Sequence, residues 1–505
     1  MEQYLSLPDL GELKEFIART LDLWHVPGLS LAVIQGGQVV LCEGYGLRKV
    51  GEPLPVTPET LFPIASCTKA FTAMSLGLLV DTGKLDWDTP VRHYLPAFQM
   101  WDSFATERLT PRDLLSHRSG LPGHDMLWYA SNFDRRQVLG RLRYLEPTCD
   151  LRTAFQYQNL MYSVAGVLVE EITGTRWEEF VQARIFDRLG MQRTNFSTAT
   201  ARAAPDFASP HFYHAGQLEV IPFLQQDAVN HGTGPAGNIC SCASDMAKWL
   251  LLHLNQGKVG DQVLISEAAL VQMHSPQIFT NDEWGRTHFG YEFTSYGLGW
   301  GMRSHKGQFL VEHDGMTDGF YSLAAFMPRH DVGVVALSNA DAYYNPVQAN
   351  LAPNIIAYTL FDRLLGLEST DWNALMQAAC TERKEILKRF VAEQSTAGPI
   401  PNAPPSHPLE AYPGDYTHAG YGVLSIQRSG EKLQMVINDK LTLPLEHCYY
   451  DIFEAVFEAI DQRQKISFIT DLDGNISQVA CRMEPRVKEI IFTRIFTPSG
   501  NNTVV

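Results

Sequence analysis

Several things are scarce in this sequence. Its 505 residues hold 40 Lys and Arg against 56 Asp and Glu, a net charge of -16, and no basic run. Nucleic acid and anionic membrane are therefore not expected as partners. No apolar run reaches the ~20 residues needed to cross a bilayer. The opening Met1-Glu-Gln-Tyr-Leu-Ser-Leu-Pro-Asp9 has no positive n-region and no apolar h-region. It does not read as a signal peptide, and a cytoplasmic location is expected. The eight cysteines (42, 67, 149, 240, 242, 380, 448 and 481) are irregularly spaced. They read as reduced thiols rather than a disulfide framework. Cys240-Ser-Cys242 has no second Cys/His pair at ligand spacing, so it reads as two small buried residues beside Gly237. No metal or cofactor is expected. Internal repeats are absent, and residues 395–408 are the one low-complexity tract.

What is present is an ordinary globular composition, 45% hydrophobic and 19% charged, in a chain long enough for more than one domain. The most informative stretch is Phe62–Val80. Apolar residues at Cys67, Ala70, Phe71, Met74 and Leu78 follow helical spacing, and Ala73, Leu76 and Val80 fill the other side. Such a helix is apolar nearly all round and should be buried. Lys69 is the only charge between Ser66 and Val80. Burial lowers a lysine pKa from its reference near ~10.4. Ser66 lies three residues earlier, on the same helix face. A serine beside a desolvated lysine is one way to build a nucleophile. The bland alternative is a helix-capping serine with a snorkelling lysine. Ser429-Gly-Glu-Lys432 has the same spacing but sits in a polar hairpin turn, where nothing would lower the lysine pKa.

Two further patterns gain meaning beside this one. Tyr157-Gln-Asn159 places a phenol and an amide two residues apart in a loop before a helix, facing the same side if the chain is extended. A tyrosine near a cationic lysine is expected to ionise more readily than its reference of about 10. Alone, the pair reads as a core tyrosine and a capping asparagine. Tyr343-Tyr-Asn345 also matches, but precedes Pro346 and reads as a surface turn. His313-Asp-Gly315 falls at the end of an expected strand, Phe309–His313, where Gly315 permits close backbone approach to a ligand. His214-Ala-Gly216, His305-Lys-Gly307 and His418-Ala-Gly420 share the spacing; His305 falls in the turn before that strand.

Along the chain, Asp9–Leu23 reads as an amphipathic helix, Leu29–Gln35 and Gln38–Glu43 as a hairpin, and Tyr45–Arg48 as a third strand. Residues 85–270 read mainly as helices and loops. Strands return at Tyr296–Met302, Phe309–His313, Tyr321–Met327 and Val332–Ser338, followed by helices at Asn354–Leu365 and Trp372–Glu393. The expected fold is α+β. One antiparallel sheet is built from both ends of residues 1–394, with a helical region inserted. Residues 395–408 form a Pro-rich linker. Residues 409–505 form a small all-β domain with strands at Gly422–Arg428, Lys432–Ile437, Lys465–Thr470, Ile476–Met483 and Glu489–Arg494.

Ser66-x-x-Lys69, Tyr157-x-Asn159 and His313-x-Gly315 in this order closely resemble the class C β-lactamase and penicillin-recognising serine hydrolase family. Leu114–Pro122, Pro235–Ser241, Tyr296–Trp300 and Ile185–Met191 look like that family's landmarks, and the resemblance spans residues 10–365. Tyr412-Pro-Gly-Asp-Tyr416 and Tyr421-Gly422 make the tail similar to the lipocalin-like domain of some peptidases of this family. The resemblance implies a β-lactamase/DD-peptidase-like fold and an acyl-enzyme on Ser66, with Lys69 and Tyr157 sharing the proton. It implies an oxyanion site at the N–H groups of Ser66 and Met316, and substrate contacts at Asn159, His313, Asp314 and Gly315. Where lactamases and D-Ala-D-Ala peptidases carry Lys-Thr-Gly, this chain has His313-Asp314-Gly315, as in the esterase and D-aminopeptidase branches. A mostly neutral histidine beside a carboxylate is a poor anchor for a substrate carboxylate. The expected activity is hydrolysis of short esters, amides or peptides, including D-residue peptides, on a small-molecule or short-peptide substrate. A β-lactam-binding or weak lactamase-like protein and a non-catalytic binding or assembly protein are the alternatives. The C-terminal domain either covers the cleft or joins the chain into a homo-oligomer.

Overall fold

The computed structural model describes residues 10–129, 131–196, 198–214, 216–221, 232–340, 350–394, 400, 402–457 and 462–496. Asp9, Tyr343–Asn345 and part of the 395–408 tract lie outside them. Gly28–Gln35 and Phe320–Met327, buried along their whole length, are inner strands of an eight-stranded sheet. From one edge the order is Gln38–Gly46, Gly28–Gln35, Val332–Ser338, Phe320–Met327, Gln308–Thr317, Gly301–His305, Thr294–Tyr296 and Ile278–Phe279. Every neighbouring pair is antiparallel. The first hairpin thus lies beside the last strand, and the helical region is inserted between them.

Period-two alternation splits each of these inner strands between two cores. Leu31 and Val33, with Leu323, Ala325 and Met327, pack with residues of the Leu10–Leu23 and Ala352–Leu364 helices. Ala32 and Ile34, with Ala324 and Phe326, face the larger core that holds the Thr68–Asp81 helix.

Three details depart from expectation. Gln38–Gly46 is one strand, so there is no separate strand at Tyr45–Arg48. The stretch Tyr296–Met302 is broken at Gly297–Trp300, where Gly297 N donates to Trp300 O, and two strands result. The strand bearing His313 continues to Thr317 instead of ending at the histidine.

Eight strands between Gly414 and Arg494 form a closed barrel in sequence order. Pairing of Tyr416 with Arg494 and Thr417 with Thr493 joins the last strand to the first. Gly414–His418, Leu441–Tyr449 and Ile452–Phe457 add to the five strands expected. The interior is filled by side chains, among them Tyr416, Leu424, Met435, Phe453, Phe468 and Phe492, all buried.

Candidate active site

The Ser66 segment begins with a 3-10 turn, Ala65–Cys67, leading into the Thr68–Asp81 helix. Ala65 has φ 43°, a left-handed conformation that costs a non-glycine residue about 1–3 kcal/mol. The turn leaves Ser66 partly accessible while its neighbours are buried. Twelve residues of the helix, Thr68–Leu79, are buried, so each polar side chain among them needs a partner. The Pro235–Ile239 segment supplies most of them. Thr72 Oγ1 donates to Pro235 O at 2.6 Å, Lys69 Nζ to Ala236 O at 2.9 Å, and Ile239 N to Thr68 Oγ1 at 3.2 Å.

Lys69 is completely buried, and its Nζ lies 2.9 Å from Ser66 Oγ. Burial drives its pKa down to about 7, against an opposing pull from the Asp125 and Asp314 carboxylates. A fall from 10.5 to about 7 amounts to about 5 kcal/mol against the ammonium form. The amine is thus largely neutral just above neutral pH, where it can accept a proton.

Tyr157 lies within the same cluster. Ser66 is close enough to pull the phenol pKa down, and Lys69 Nζ lies 4.8 Å from its ring centroid. The expectation that the lysine would ease its ionisation is overturned. Burial pushes the phenol well above its usual pKa, and Asp314, Tyr162 and Cys67 push the same way. A buried phenolate is poorly solvated, and a lysine that is itself mostly neutral provides little charge to offset that.

The histidine strand closes the opposite side. An added Cβ at Gly315 would lie 2.0 Å from Ile64 O and 3.0 Å from Ser66 N, so only glycine lets this strand meet the Ser66 turn. Met316, which follows it, is 40% exposed. His313 is buried, with Nδ1 2.5 Å from Asp314 O and Nε2 2.8 Å from Tyr296 Oη. A carbonyl can only accept, so Nδ1 carries the proton and Nε2 accepts from the Tyr296 hydroxyl. Burial lowers the His313 pKa to about 4. The ring is neutral and both of its nitrogens are engaged within the protein. The Asp314 carboxylate remains 46% exposed.

Asn159 is the first residue of the Asn159–Thr173 helix, after a Gln158 N-cap, rather than part of the preceding loop. Its Nδ2 donates to Asp125 Oδ1 at 3.0 Å, and Trp128 Nε1 donates to the same oxygen at 2.7 Å. Asp125, absent from the sequence expectation, therefore holds Asn159 and biases Lys69. His117 was visible there only as part of a landmark. It stacks on Tyr157 at 4.2 Å between centroids and accepts from Gln158 N at 2.9 Å. Tyr296 had the same standing, and no local signal tied either residue to the catalytic motifs. Ser429 and Lys432 pair across a hairpin in the barrel.

The family model Beta-lactamase matches residues 13–355, and the model of a domain of unknown function, DUF3471, matches residues 399–494. The unguisins hydrolase ungD' of Aspergillus campestris is 31% identical over 436 residues, covering 82% of this chain and 77% of the relative. The octameric penicillin-binding protein homologue from Pyrococcus abyssi aligns with a TM-score of 0.60 at 24% identity, over 96% of this chain and 100% of that one. The D-amino acid amidase from Ochrobactrum anthropi SV3 aligns with a TM-score of 0.56 at 23% identity, over 71% and 98% of the two chains. At these identities the two structures speak for the fold. No helix among the described residues is long and apolar enough to cross a membrane. The chain belongs to the beta-lactamase family, as a hydrolase with a penicillin-binding-protein-like fold and a closed C-terminal barrel.

Proposed function

We propose that this protein is a serine hydrolase that forms an acyl-enzyme on Ser66 from short esters, amides or peptides, including peptides with D-residues. The observation that carries the reading is the 2.9 Å approach of a fully buried Lys69 Nζ to Ser66 Oγ, with the Tyr157 ring centroid 4.8 Å from the same Nζ. Neutral Lys69 takes the Ser66 proton as Oγ attacks the carbonyl carbon. The oxyanion is held by the backbone N–H groups of Ser66 and Met316, and Gly315 lets the two segments close on it. The protonated Tyr157 hydroxyl passes its proton to the departing alcohol or amine and is refilled from Lys69. Water then attacks the acyl carbonyl. The Tyr157–Lys69 pair accepts the water proton, Ser66 is regenerated and the acid leaves. Asn159 orients the substrate amide, and His313 shapes the pocket wall.

Charge supports the substrate class. His313 is held neutral, and the carboxylates whose charge reaches Lys69 are Asp125 and Asp314. Such a site disfavours a substrate carboxylate and tolerates an amine. The 31%-identical relative, named as an unguisins hydrolase, puts unguisins in the substrate panel. The octameric Pyrococcus abyssi homologue supports self-association as part of the same reading. The test is a panel of p-nitrophenyl esters, L- and D-aminoacyl amides, unguisins and β-lactams against wild type and Ser66→Ala. Turnover of esters or amides, lost in Ser66→Ala, is expected. Preferential acylation by penicillins, or equal turnover by Ser66→Ala, would defeat the reading.

A further inference from the structure

The barrel touches the hydrolase region directly behind the loop that carries Asp125. Tyr421 and Glu484, both buried, reach His124 from two different parts of the barrel. His124 N donates to Glu484 Oε2 at 2.8 Å, and His124 Nδ1 lies 2.7 Å from Tyr421 Oη. His124 Nε2 lies 3.2 Å from Glu146 O, which can only accept. Nε2 therefore carries the proton, and Nδ1 accepts from the Tyr421 hydroxyl. His124 is fully buried, with φ 48°, a backbone conformation that a non-glycine residue keeps only when its surroundings enforce it. Leu127 N then bonds His124 O, and Trp128 N and Tyr129 N bond Asp125 O, closing the next turn. That turn presents the Asp125 carboxylate to Asn159 Nδ2 and Trp128 Nε1. The docking is broader than one residue. Arg141 donates to Ala419 O at 2.7 Å while its guanidinium lies over the Phe133 ring.

We infer that Tyr421 and Glu484 are positioning residues for the hydrolase site, fixing His124 so that Asp125 holds Asn159 where the substrate binds. The barrel is thus a working part of the site, although neither residue touches the reacting atoms. The inference rests on the reading of Ser66 as nucleophile and Asn159 as a substrate contact.

The test uses the full-length protein. Tyr421→Phe removes one hydroxyl and keeps the packing, and Glu484→Ala removes the acceptor of His124 N. Each should raise KM for an aminoacyl amide about fivefold, the size expected for one lost hydrogen bond. At pH 9, where Lys69 is neutral whatever Asp125 contributes, labelling of Ser66 by a small fluorophosphonate, which does not use Asn159, should stay within about twofold of wild type. Glu484→Gln keeps an oxygen acceptor and should restore KM. In an Asn159→Ala background, Tyr421→Phe should add almost nothing, because the two substitutions break one chain of contacts. Unchanged KM in both Tyr421→Phe and Glu484→Ala overturns the inference. So does a fivefold effect that persists in Asn159→Ala, or a parallel loss of Ser66 labelling. Wild-type protein that is not labelled at Ser66 would defeat the nucleophile reading itself, which is a separate result from these.

Discussion

Lys69 Nζ lies 2.9 Å from Ser66 Oγ, and the lysine is as buried as the leucines of its own helix. An amine kept out of water at that distance from a hydroxyl is poised to take its proton. The pKa of about 7 is the electrostatic expression of that placement.

The pH dependence of acylation follows from it. Lys69 must be neutral to act as base, so kcat/KM should rise with pH through a midpoint near 7. His313, with a pKa near 4, is already neutral across that range and adds no second step. A pH series of ester hydrolysis checks this. A profile flat from pH 5 to 9 would contradict it.

The same lysine should weaken the fold. Its folded pKa lies below its unfolded value of about 10.5, so the unfolded chain binds more protons between about pH 7 and pH 10.5, and stability rises with pH in that window. Lys69→Met should stabilise the protein, on the order of 2–5 kcal/mol, at neutral and acidic pH. The gain should shrink as pH approaches 10.5. Denaturant melts at pH 6 and pH 9.5 would show whether the difference narrows.

Tyr157→Phe should lower kcat by about 10²–10⁴-fold, the usual range for a lost proton-transfer group. The fold should survive, since the ring still stacks on His117. Steady-state kinetics paired with a thermal melt separates the two effects. Near-normal kcat would remove Tyr157 from the proton path.

Gly315→Ala tests the contact between strand and turn. A Cβ 2.0 Å from Ile64 O forces backbone apart from backbone. A stability loss of about 1–3 kcal/mol is expected. A larger proportional loss of Ser66 labelling should accompany it, because the turn bearing the nucleophile moves. Labelling at the wild-type rate would mean that the strand does not form the oxyanion wall.

Much of this was legible in the sequence because it is local. Ser66, in the 3-10 turn, and Lys69, in the helix that continues it, are three residues apart, and that helical spacing predicts that they meet. The two-ended sheet was legible because strand patterns open and close residues 1–394 while helical patterns fill the middle. What was not legible depends on the third dimension. Asp125 lies 34 residues from Asn159, in a loop with no periodicity. The phenol was expected to ionise easily because a neighbouring charge can be read from sequence, whereas burial cannot. The strand through His313 was cut short because a glycine ordinarily weakens a strand, whereas Gly315 lies within this one and its close approach is to Ile64 O rather than to a ligand. Leu441–Tyr449 was missed as a strand because Pro444 interrupts it.

The most direct measurement is the mass and peptide map of the protein after treatment with a fluorophosphonate. The account predicts one adduct per chain, on Ser66, formed faster as pH rises through about 7 and absent in Ser66→Ala. An adduct that forms equally in Ser66→Ala, or that maps to Ser429, would contradict it.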